Sequence, residues 1–325
     1  MINMDKFLVF LNKNVEQHKQ GEICSILGHI RVVKQGKYLG LPMVVTNTKD
    51  QIFGFVRDKC QKTDSNWCNK QLSLAGKQVL VKAITMAMPT YVMSVFKLPV
   101  KLCKEINGLM ARFWWGEENG KRKIHWCSWK RITTDKSIGG LGFKDLQGFN
   151  QALLGKQIWR LLTCPNLLMS KVMKARYYPK TSPLSCEVKC NSSWIWKSLM
   201  GAREGVKKGA RKRIGNGKNT RIWEDAWLQA GSDGKIQSPK PPGCNISRVS
   251  ELISNFRWNS VLLFRTFSQH EARLILKMPI SITGRADSYF WSNSNNGNYT
   301  VSSAYKALAR ENLQGIPQVR VGGET

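Results

Sequence analysis

The chain has 325 residues, and its 51 Lys and Arg against 21 Asp and Glu leave a formal net charge of +30. Hydrophobic residues make up 42% and there are 12 Trp, so the composition supports a buried core and argues against wholesale disorder. Charge of this sign and size favours a polyanionic partner, either nucleic acid or an anionic membrane surface. The longest strongly apolar run, residues 83–96, contains Pro89 and is shorter than the ~20 residues of a spanning helix. We therefore predict no membrane partner.

The first region, residues 1–116, is predicted to be helical and compact. One helix follows Thr48 and has Phe53, Val56 and Cys60 on one face. A second is capped by Ser73 and stopped by Pro89, with an apolar stripe of Leu72, Ala75, Val79, Leu80, Ala83, Ile84 and Ala87. Three amphipathic helices with short connections would pack on one another.

The third helix of this region is predicted from Pro99 to Gly116, because proline suits the first turn of a helix and glycine its end. Its apolar stripe consists of Leu102, Cys103, Ile106, Leu109, Met110, Phe113 and Trp114.

The second region, residues 117–228, is a basic and aromatic connecting region. The Gly139–Phe143 segment is too rich in glycine for a helix interior. Helices are predicted at about 147–163, 166–178 and 192–204, and a β-hairpin over 211–223 around a Gly-Asn-Gly turn.

Residues 229–248, rich in Gly, Ser, Pro and Lys, are predicted to be a linker. A smaller unit would follow at 249–325, with helices at 249–256, 268–277 and 302–310, a hairpin over 289–301 and a frayed C-terminus. The predicted fold class is mainly α: a helical bundle, a mixed α/β-hairpin region and a small C-terminal α+β unit.

Catalytic and metal sites are poorly supported. Two-metal phosphoryl chemistry needs converging carboxylates, yet the chain has no Asp-Asp pair, and Glu117-Glu118 and Glu224-Asp225 are typical of solvated turns. Cys186 and Cys190 lack a second pair of ligands at zinc-site spacing. We predict no catalytic residue, no metal and no cofactor. The nine scattered Cys are predicted to be free thiols in a reducing compartment.

Two basic clusters are the candidate binding residues, because ammonium and guanidinium groups neutralise phosphates and exposed indoles stack on unpaired bases. The alternative is that the indoles belong to the core and the cations only solvate the surface. The first basic cluster, residues 121–131, comprises Lys121, Arg122, Lys123, Trp126, Trp129, Lys130 and Arg131. The second basic cluster, residues 201–221, comprises Lys207, Lys208, Arg211, Lys212, Arg213, Lys218 and Arg221, with Arg203 and the single acid Glu204.

A series of motifs runs in order along the chain. They are Tyr38–Pro42, Leu72–Lys77, Pro89–Ser94, Phe113–Gly116, Ile124–Trp126 with Trp129, Gly139–Phe143, Phe149–Leu154, Lys156-Gln157 with Trp159-Arg160, Ala175–Tyr177, Ser193–Trp196, and Ile214–Gly217 with Trp223. Through these motifs, residues 1 to about 230 resemble the segment that follows the reverse transcriptase palm in plant LINE-type (non-LTR) retrotransposon polyproteins. Residues 85–230 are also similar to an uncharacterised open reading frame family of plant mitochondrial genomes. Residues 286–308 resemble the opening of the zinc-binding domain of those polyproteins.

The resemblance implies a catalytically incomplete reverse transcriptase fragment that retains a helical thumb-like region at 1–116 and the connecting region at 117–228. Such a fragment is expected to bind RNA or an RNA/DNA hybrid with little sequence preference. The family's palm motif, Tyr-x-Asp-Asp, does not occur here, and its zinc ligands and any RNase H domain would lie further downstream. No catalytic residue is therefore carried over, and the zinc-binding domain is expected to be truncated.

Other readings stay open. The chain could be a domesticated organellar or nuclear interaction protein, held to a partner by its aromatic surface, or the product of a decayed pseudogene. A separately encoded palm could be a partner. The expected compartment is intracellular, nuclear if the chain is retroelement-like, with the mitochondrion as an alternative.

Overall fold

The computed structural model describes residues 8–9, 11, 15–28, 31–32, 37–38, 41–42, 49–68, 72–118, 121–122, 124–136, 139–229 and 233–314. The predominantly α-helical fold class is confirmed. The α-helices are α1 (Gln17–Ile26), α2 (Lys49–Cys68), α3 (Leu74–Leu80), α4 (Thr90–Met93), α5 (Val100–Trp115), α6 (Trp129–Ile132), α7 (Leu146–Thr163), α8 (Leu168–Tyr177), α9 (Trp194–Met200), α10 (Arg203–Gly209), α11 (Ser260–Thr266), α12 (Gln269–Leu276) and α13 (Val301–Gln314). A π-helix (Val81–Thr85) continues α3, and a 3₁₀ helix spans Val249–Leu252.

The strands of the described ranges are short and form two-stranded sheets. They are β1 (Leu8–Val9), β2 (Arg31–Val32), β3 (Lys37–Tyr38), β4 (Leu41–Pro42), β5 (Glu117–Glu118), β6 (Lys121–Arg122), β7 (Ala210–Arg213), β8 (Ile253–Ser254), β9 (Arg257–Trp258) and β10 (Ser288–Trp291). The pairs are β1–β2, which is parallel, and β3–β4, β5–β6, β7–β10 and β8–β9, which are antiparallel.

The first core packs α2, the π-helix, α4, α5 and the start of α7 together. Every member of the predicted stripe of α5 is buried, and Gly116 ends this helix with φ +85°, as predicted. The Ser73 hydroxyl accepts a hydrogen bond from the Gly76 amide, which confirms the predicted cap of α3. Thr48, the proposed start of α2, lies outside the described residues.

The predicted apolar stripe of the second helix is partly wrong. Val79 is 62% exposed, whereas Val81 and Thr85 are buried. Val79 precedes the π-helix, so the π-helix accounts only for the later residues. From Val81 onward its wider turn shifts the side chains away from 3.6-residue spacing, and as a result Thr85 is buried while Ala83 and Ala87 are exposed.

Both predicted hairpins are wrong in their pairing. β7 pairs with β10, about 75 residues away, with Arg211 opposite Phe290 and Arg213 opposite Ser288. The Gly-Asn-Gly turn therefore follows β7 without connecting it to a neighbouring strand, and the partner of β7 is the distant strand β10. After β10 the chain turns at Gly297, whose carbonyl accepts from the Trp291 amide, and then enters α13.

The α7 helix and a second core lie at the centre of the molecule. α7 contacts α4, α5, α9, α10 and α13, and the second core includes Trp159, Trp196, Trp291 and Tyr299. The Tyr299 hydroxyl donates to the Ala152 carbonyl at 2.9 Å, and burial raises the pKa of Tyr299. The residues around 286–308, which resemble the opening of another domain, are thus packed directly on the preceding helices.

A third core gathers residues from both sides of the segment predicted to be a linker. Ile222 and Trp227 lie on its N-terminal side, and Leu252, Leu263 and Ile275 lie on its C-terminal side. The segment 229–248 itself contributes the buried Ile236, and the Arg221 and Arg248 backbones form a β-bridge. The described part of this segment therefore packs on its neighbours.

Glu271 of α12 forms hydrogen bonds with the segment 229–248. Its carboxylate accepts from the Gln237 amide at 2.6 Å, from the Ser238 amide and hydroxyl, and from the Ser268 hydroxyl. Burial alone would raise the pKa of Glu271, but these hydrogen bonds outweigh burial and lower it.

We expect the protein to lose stability in acid partly through Glu271. A carboxyl whose pKa is lowered by folding stabilises the folded state above its unfolded pKa, and this contribution disappears as pH falls through the folded pKa. Urea unfolding between pH 7 and pH 3 should therefore show a smaller loss of unfolding free energy in Glu271→Gln, which starts less stable, than in the wild type. Equal pH dependence of the two proteins would contradict this role.

The cysteines that the structure describes with side chains are all free thiols, as predicted. Among the helices of the described ranges, none has both the length and the apolar character needed to span a bilayer.

Candidate nucleic-acid interface

The first basic cluster surrounds α6. The backbones of Lys121 and Arg122 form β6, and the side chains of these two residues and all of Lys123 lie outside the described part. The Ser128 hydroxyl caps α6 by accepting from the Arg131 amide. This cap starts the helix immediately before Lys130 and Arg131, which are both exposed, and none of the described carboxylates forms an ion pair with either.

The two indoles of this cluster have different environments. Trp126 is 82% exposed, so its ring is open to stacking. Trp129 stacks on Phe143, with ring centroids 5.4 Å apart and planes 13° apart, and packs against the first core. Trp129 thus holds α6 on the core, and Trp126 is the indole presented to solvent.

Further lysines lie beside the Gly139–Phe143 segment, whose Phe143 ring stacks on Trp129. Lys82 Nζ donates to the Leu141 carbonyl at 2.9 Å and lies 5.3 Å from the centre of the Phe143 ring. A Cβ atom on Gly142, where φ is +67°, would lie 3.5 Å from Lys136 Cγ and 3.9 Å from Lys82 Nζ. Both distances are ordinary van der Waals contacts, so the positive φ and not a lack of space favours glycine here, and both lysines lie next to the same point of the backbone.

The two lysines influence each other electrostatically. Burial, and secondarily the positive charge of Lys136, lower the pKa of Lys82. Burial also lowers the pKa of Lys144, whose Nζ lies 4.0 Å from the centre of the Phe149 ring. An anion placed between Lys82 and Lys136 would relieve the repulsion between them. Sequence reasoning missed these lysines, although Lys136 and Lys144 flank the Gly139–Phe143 segment that it singled out.

In the second basic cluster, many cations already have acidic partners. The salt bridges are Lys208–Glu311 at 2.6 Å, Lys212–Asp225 at 2.8 Å, Arg221–Glu224 at 2.5 Å and Arg203–Glu204 at 3.6 Å. Three of the four acids lie outside residues 201–221, so the excess of positive charge read from the sequence is partly neutralised by folding.

The remaining members of the second basic cluster differ in exposure. Arg211 is only 5% exposed, and its Nη1 donates to the carbonyls of Lys208 and Ala210. Lys207 and Lys218 are exposed, and the exposed Arg213 lies over the Phe290 ring. A groove of about 1580 Å³ beside α10 and β7 is lined by both signs of charge, including Lys208, Lys212, Asp225 and Glu311. The described surface of the first basic cluster is thus the less neutralised of the two.

Comparisons with known proteins give two Arabidopsis thaliana relatives, whereas no protein-family model matches the chain. One relative, "Putative ribonuclease H protein At1g65750", is 28% identical over 274 residues, which are 82% of this chain and 44% of that protein. The other, "Uncharacterized mitochondrial protein AtMg00310", is 40% identical over 158 residues, which are 48% of this chain and 99% of that protein. Because this chain covers almost all of the mitochondrial protein at that identity, it belongs to the same family as that uncharacterized mitochondrial protein of Arabidopsis.

Proposed function

We propose that the chain binds nucleic acid through the surface formed by Trp126, Lys130, Arg131, Lys82 and Lys136, which we call the Trp126 face. The observation that carries this proposal is an exposed indole among cations that form no ion pair with the described carboxylates. Phosphate contacts supply sequence-independent affinity, and an exposed indole supplies a stacking platform for a base.

The partner class follows from the same chemistry. A net charge of +30 draws polyanions to the whole molecule, and the Trp126 face would hold them where the cations are not already paired. We propose RNA or an RNA/DNA hybrid as the natural partner, in keeping with an origin from a plant retroelement. The printed name of the longer relative and the motif resemblance support that origin.

We propose further that the chain binds without catalysing a reaction, because the sequence contains no Tyr-x-Asp-Asp motif. Purified protein incubated with Mg²⁺, a primed RNA template and nucleotides should neither extend the primer nor shorten the template. Magnesium-dependent extension or cleavage that survives repeated purification would overturn this part of the proposal.

Replacing the exposed indole tests the proposed interface most simply. Base stacking on an aromatic side chain contributes about 1–3 kcal/mol per base, so Trp126→Ala should weaken binding of a single-stranded oligonucleotide roughly 5- to 150-fold. Fluorescence anisotropy at fixed low salt would measure the change. Phe264→Ala, which removes an exposed ring from α11, is the matched control and should bind as the wild type does. Equal affinity of Trp126→Ala and wild type would argue against the Trp126 face.

A protein partner is the second candidate, because Ile124 and Trp126 are exposed apolar neighbours. Under this alternative, losing Trp126 would abolish capture of a specific protein partner, while charge reversal at Lys130 and Arg131 would leave that capture intact. Nucleic-acid binding predicts the opposite sensitivity to charge.

A further inference from the structure

A separate pocket opens on one face of the β7–β10 ribbon. Arg211 and Arg213 of β7 and Phe290 of β10 lie on this face, because alternate residues of a strand point the same way and Arg211 pairs with Phe290. The pocket has a volume of about 430 Å³ and is also lined by Ser292, Ser294 and Asn295. This volume falls within the usual range for small-molecule sites.

The two faces of the ribbon differ in charge. Lys212 and Tyr289 lie on the opposite face, where Lys212 pairs with Asp225. The described residues that line the pocket include two guanidinium groups and no carboxylate. Burial lowers the pKa of Arg211, and the negative charge of Asp233 partly opposes this effect. Asp233 itself lines the larger groove beside α10 and not this pocket. The pocket therefore carries the positive charge of Arg213 and that of Arg211, which Asp233 offsets in part, whereas Lys212 on the other face is paired with Asp225.

Each group in the pocket is held in place. Arg211 is fixed by its bonds to two backbone carbonyls, and the Arg213 guanidinium lies 5.6 Å from the centre of the Phe290 ring. The Ser292 hydroxyl donates to the Gly209 carbonyl, and the Ser294 hydroxyl donates to the Asn298 carbonyl. With their protons committed to these carbonyls, both hydroxyl oxygens are left to accept hydrogen bonds.

We propose that this pocket binds a nucleotide, meaning a phosphate ester that carries a planar base. The exposed guanidinium of Arg213 would hold the phosphate, since arginine is suited to phosphate by charge and geometry, and the buried Arg211 would add positive charge behind it. The Phe290 ring provides a flat surface for the base. The serine oxygens would accept from sugar hydroxyls or base amino groups. The ligand is either a free nucleotide or the phosphorylated end of a strand.

Calorimetric titration with adenosine monophosphate tests the proposal, with inorganic phosphate and adenosine as separate titrants. We expect saturable binding of the monophosphate, and at least about tenfold weaker binding of either part alone. Arg213→Gln should weaken binding about tenfold or more by removing one charge-assisted contact, and Phe290→Leu should weaken it by removing the ring. The matched control, Arg265→Gln on α11, should leave it unchanged; wild-type melting temperatures would show that all three variants fold.

Three results would overturn the proposal: no saturable binding of the monophosphate, unchanged affinity in Arg213→Gln, or equal affinity for phosphate alone. The affinities of oligonucleotides with and without a 5′-phosphate, compared with that of the monophosphate, distinguish a strand end from a free nucleotide as the ligand. Tighter binding of the phosphorylated strand would assign a strand end, and tighter binding of the monophosphate would assign a free nucleotide. The pocket does not depend on the Trp126 face, so Trp126→Ala should bind the monophosphate normally even if the proposed interface is wrong.

Discussion

Replacing Asn150 by alanine should destabilise the protein by about 3–5 kcal/mol, because three buried polar groups lose their partner at once. The Asn150 side chain is 3% exposed and accepts from the Leu98 amide at 2.9 Å. It also donates to the Met93 carbonyl at 2.7 Å and the Phe96 carbonyl at 2.9 Å. Through these bonds α7 holds the end of α4 and the segment that leads from it to α5. Urea unfolding followed by circular dichroism would measure the loss.

Two variants make this test specific. Asn150→Asp keeps the acceptor for Leu98 but loses both donors, so it too should be strongly destabilising. Asn245→Ala, at an exposed position, should change the unfolding free energy by less than about 0.5 kcal/mol. A loss below about 1 kcal/mol in Asn150→Ala would show that water replaces the side chain, and the proposed role would be wrong.

Asp287 should be the second large contributor, because its carboxylate organises the Gly-Asn-Gly loop. It accepts from the amides of Gly215 at 2.8 Å, Gly217 at 2.9 Å and Asn219 at 3.0 Å, and from the Thr220 hydroxyl at 2.8 Å. Hydrogen bonds to an ionised acceptor are stronger than neutral ones, so Asp287→Ala should cost about 3–4 kcal/mol.

The matched control for Asp287 is Asp58→Asn. Asp58 forms an exposed ion pair with Arg57, and pairs of this kind contribute at most about 1 kcal/mol. Equal effects of the two substitutions on the urea midpoint would mean that the loop does not depend on Asp287.

The same loop shows why its glycines are needed. A Cβ atom on Gly215 would lie 2.1 Å from the Arg285 carbonyl oxygen, and Gly217 has φ +69°. The sequence correctly indicated a tight turn here from the two glycines. It gave no indication that the turn wraps around a carboxylate some 70 residues later, because a long-range contact leaves no periodic signal in the chain.

Local features of the fold were predictable, and pairings across the chain were not. The α5 helix was predicted with its whole buried face because spacing, an initial proline and a terminal glycine agree. The strands β7 and β10 were each assigned to a local hairpin, since two short β-type runs around a glycine turn predict the nearest partner. Their actual pairing joins distant parts of the chain, and Trp291 of β10 packs against Trp159 of α7.

In the candidate site, too, local features were predictable from the sequence and long-range pairings were not. The sequence identified Trp126, Lys130 and Arg131, which are exposed, by composition alone. It did not separate them from Lys208, Lys212 and Arg221. Glu224 and Asp225, which pair with Arg221 and Lys212, follow the cluster directly but were interpreted as solvated turn residues, and Glu311, which pairs with Lys208, lies about 100 residues later. Charge counted along a segment overestimates the charge that the folded surface presents.

The most direct test of the account is the salt dependence of oligonucleotide binding in two charge-matched double variants. Lys130→Glu/Arg131→Glu reverses two cations of the Trp126 face, and Arg265→Glu/Arg273→Glu reverses two exposed cations on α11 and α12, with the same change in net charge. If about four phosphates are contacted, the wild-type slope of log K against log salt should be about −4. We predict that the first variant loses about half of this slope and most of its affinity, while the second keeps the wild-type slope. Equal losses in the two variants would contradict a localised interface.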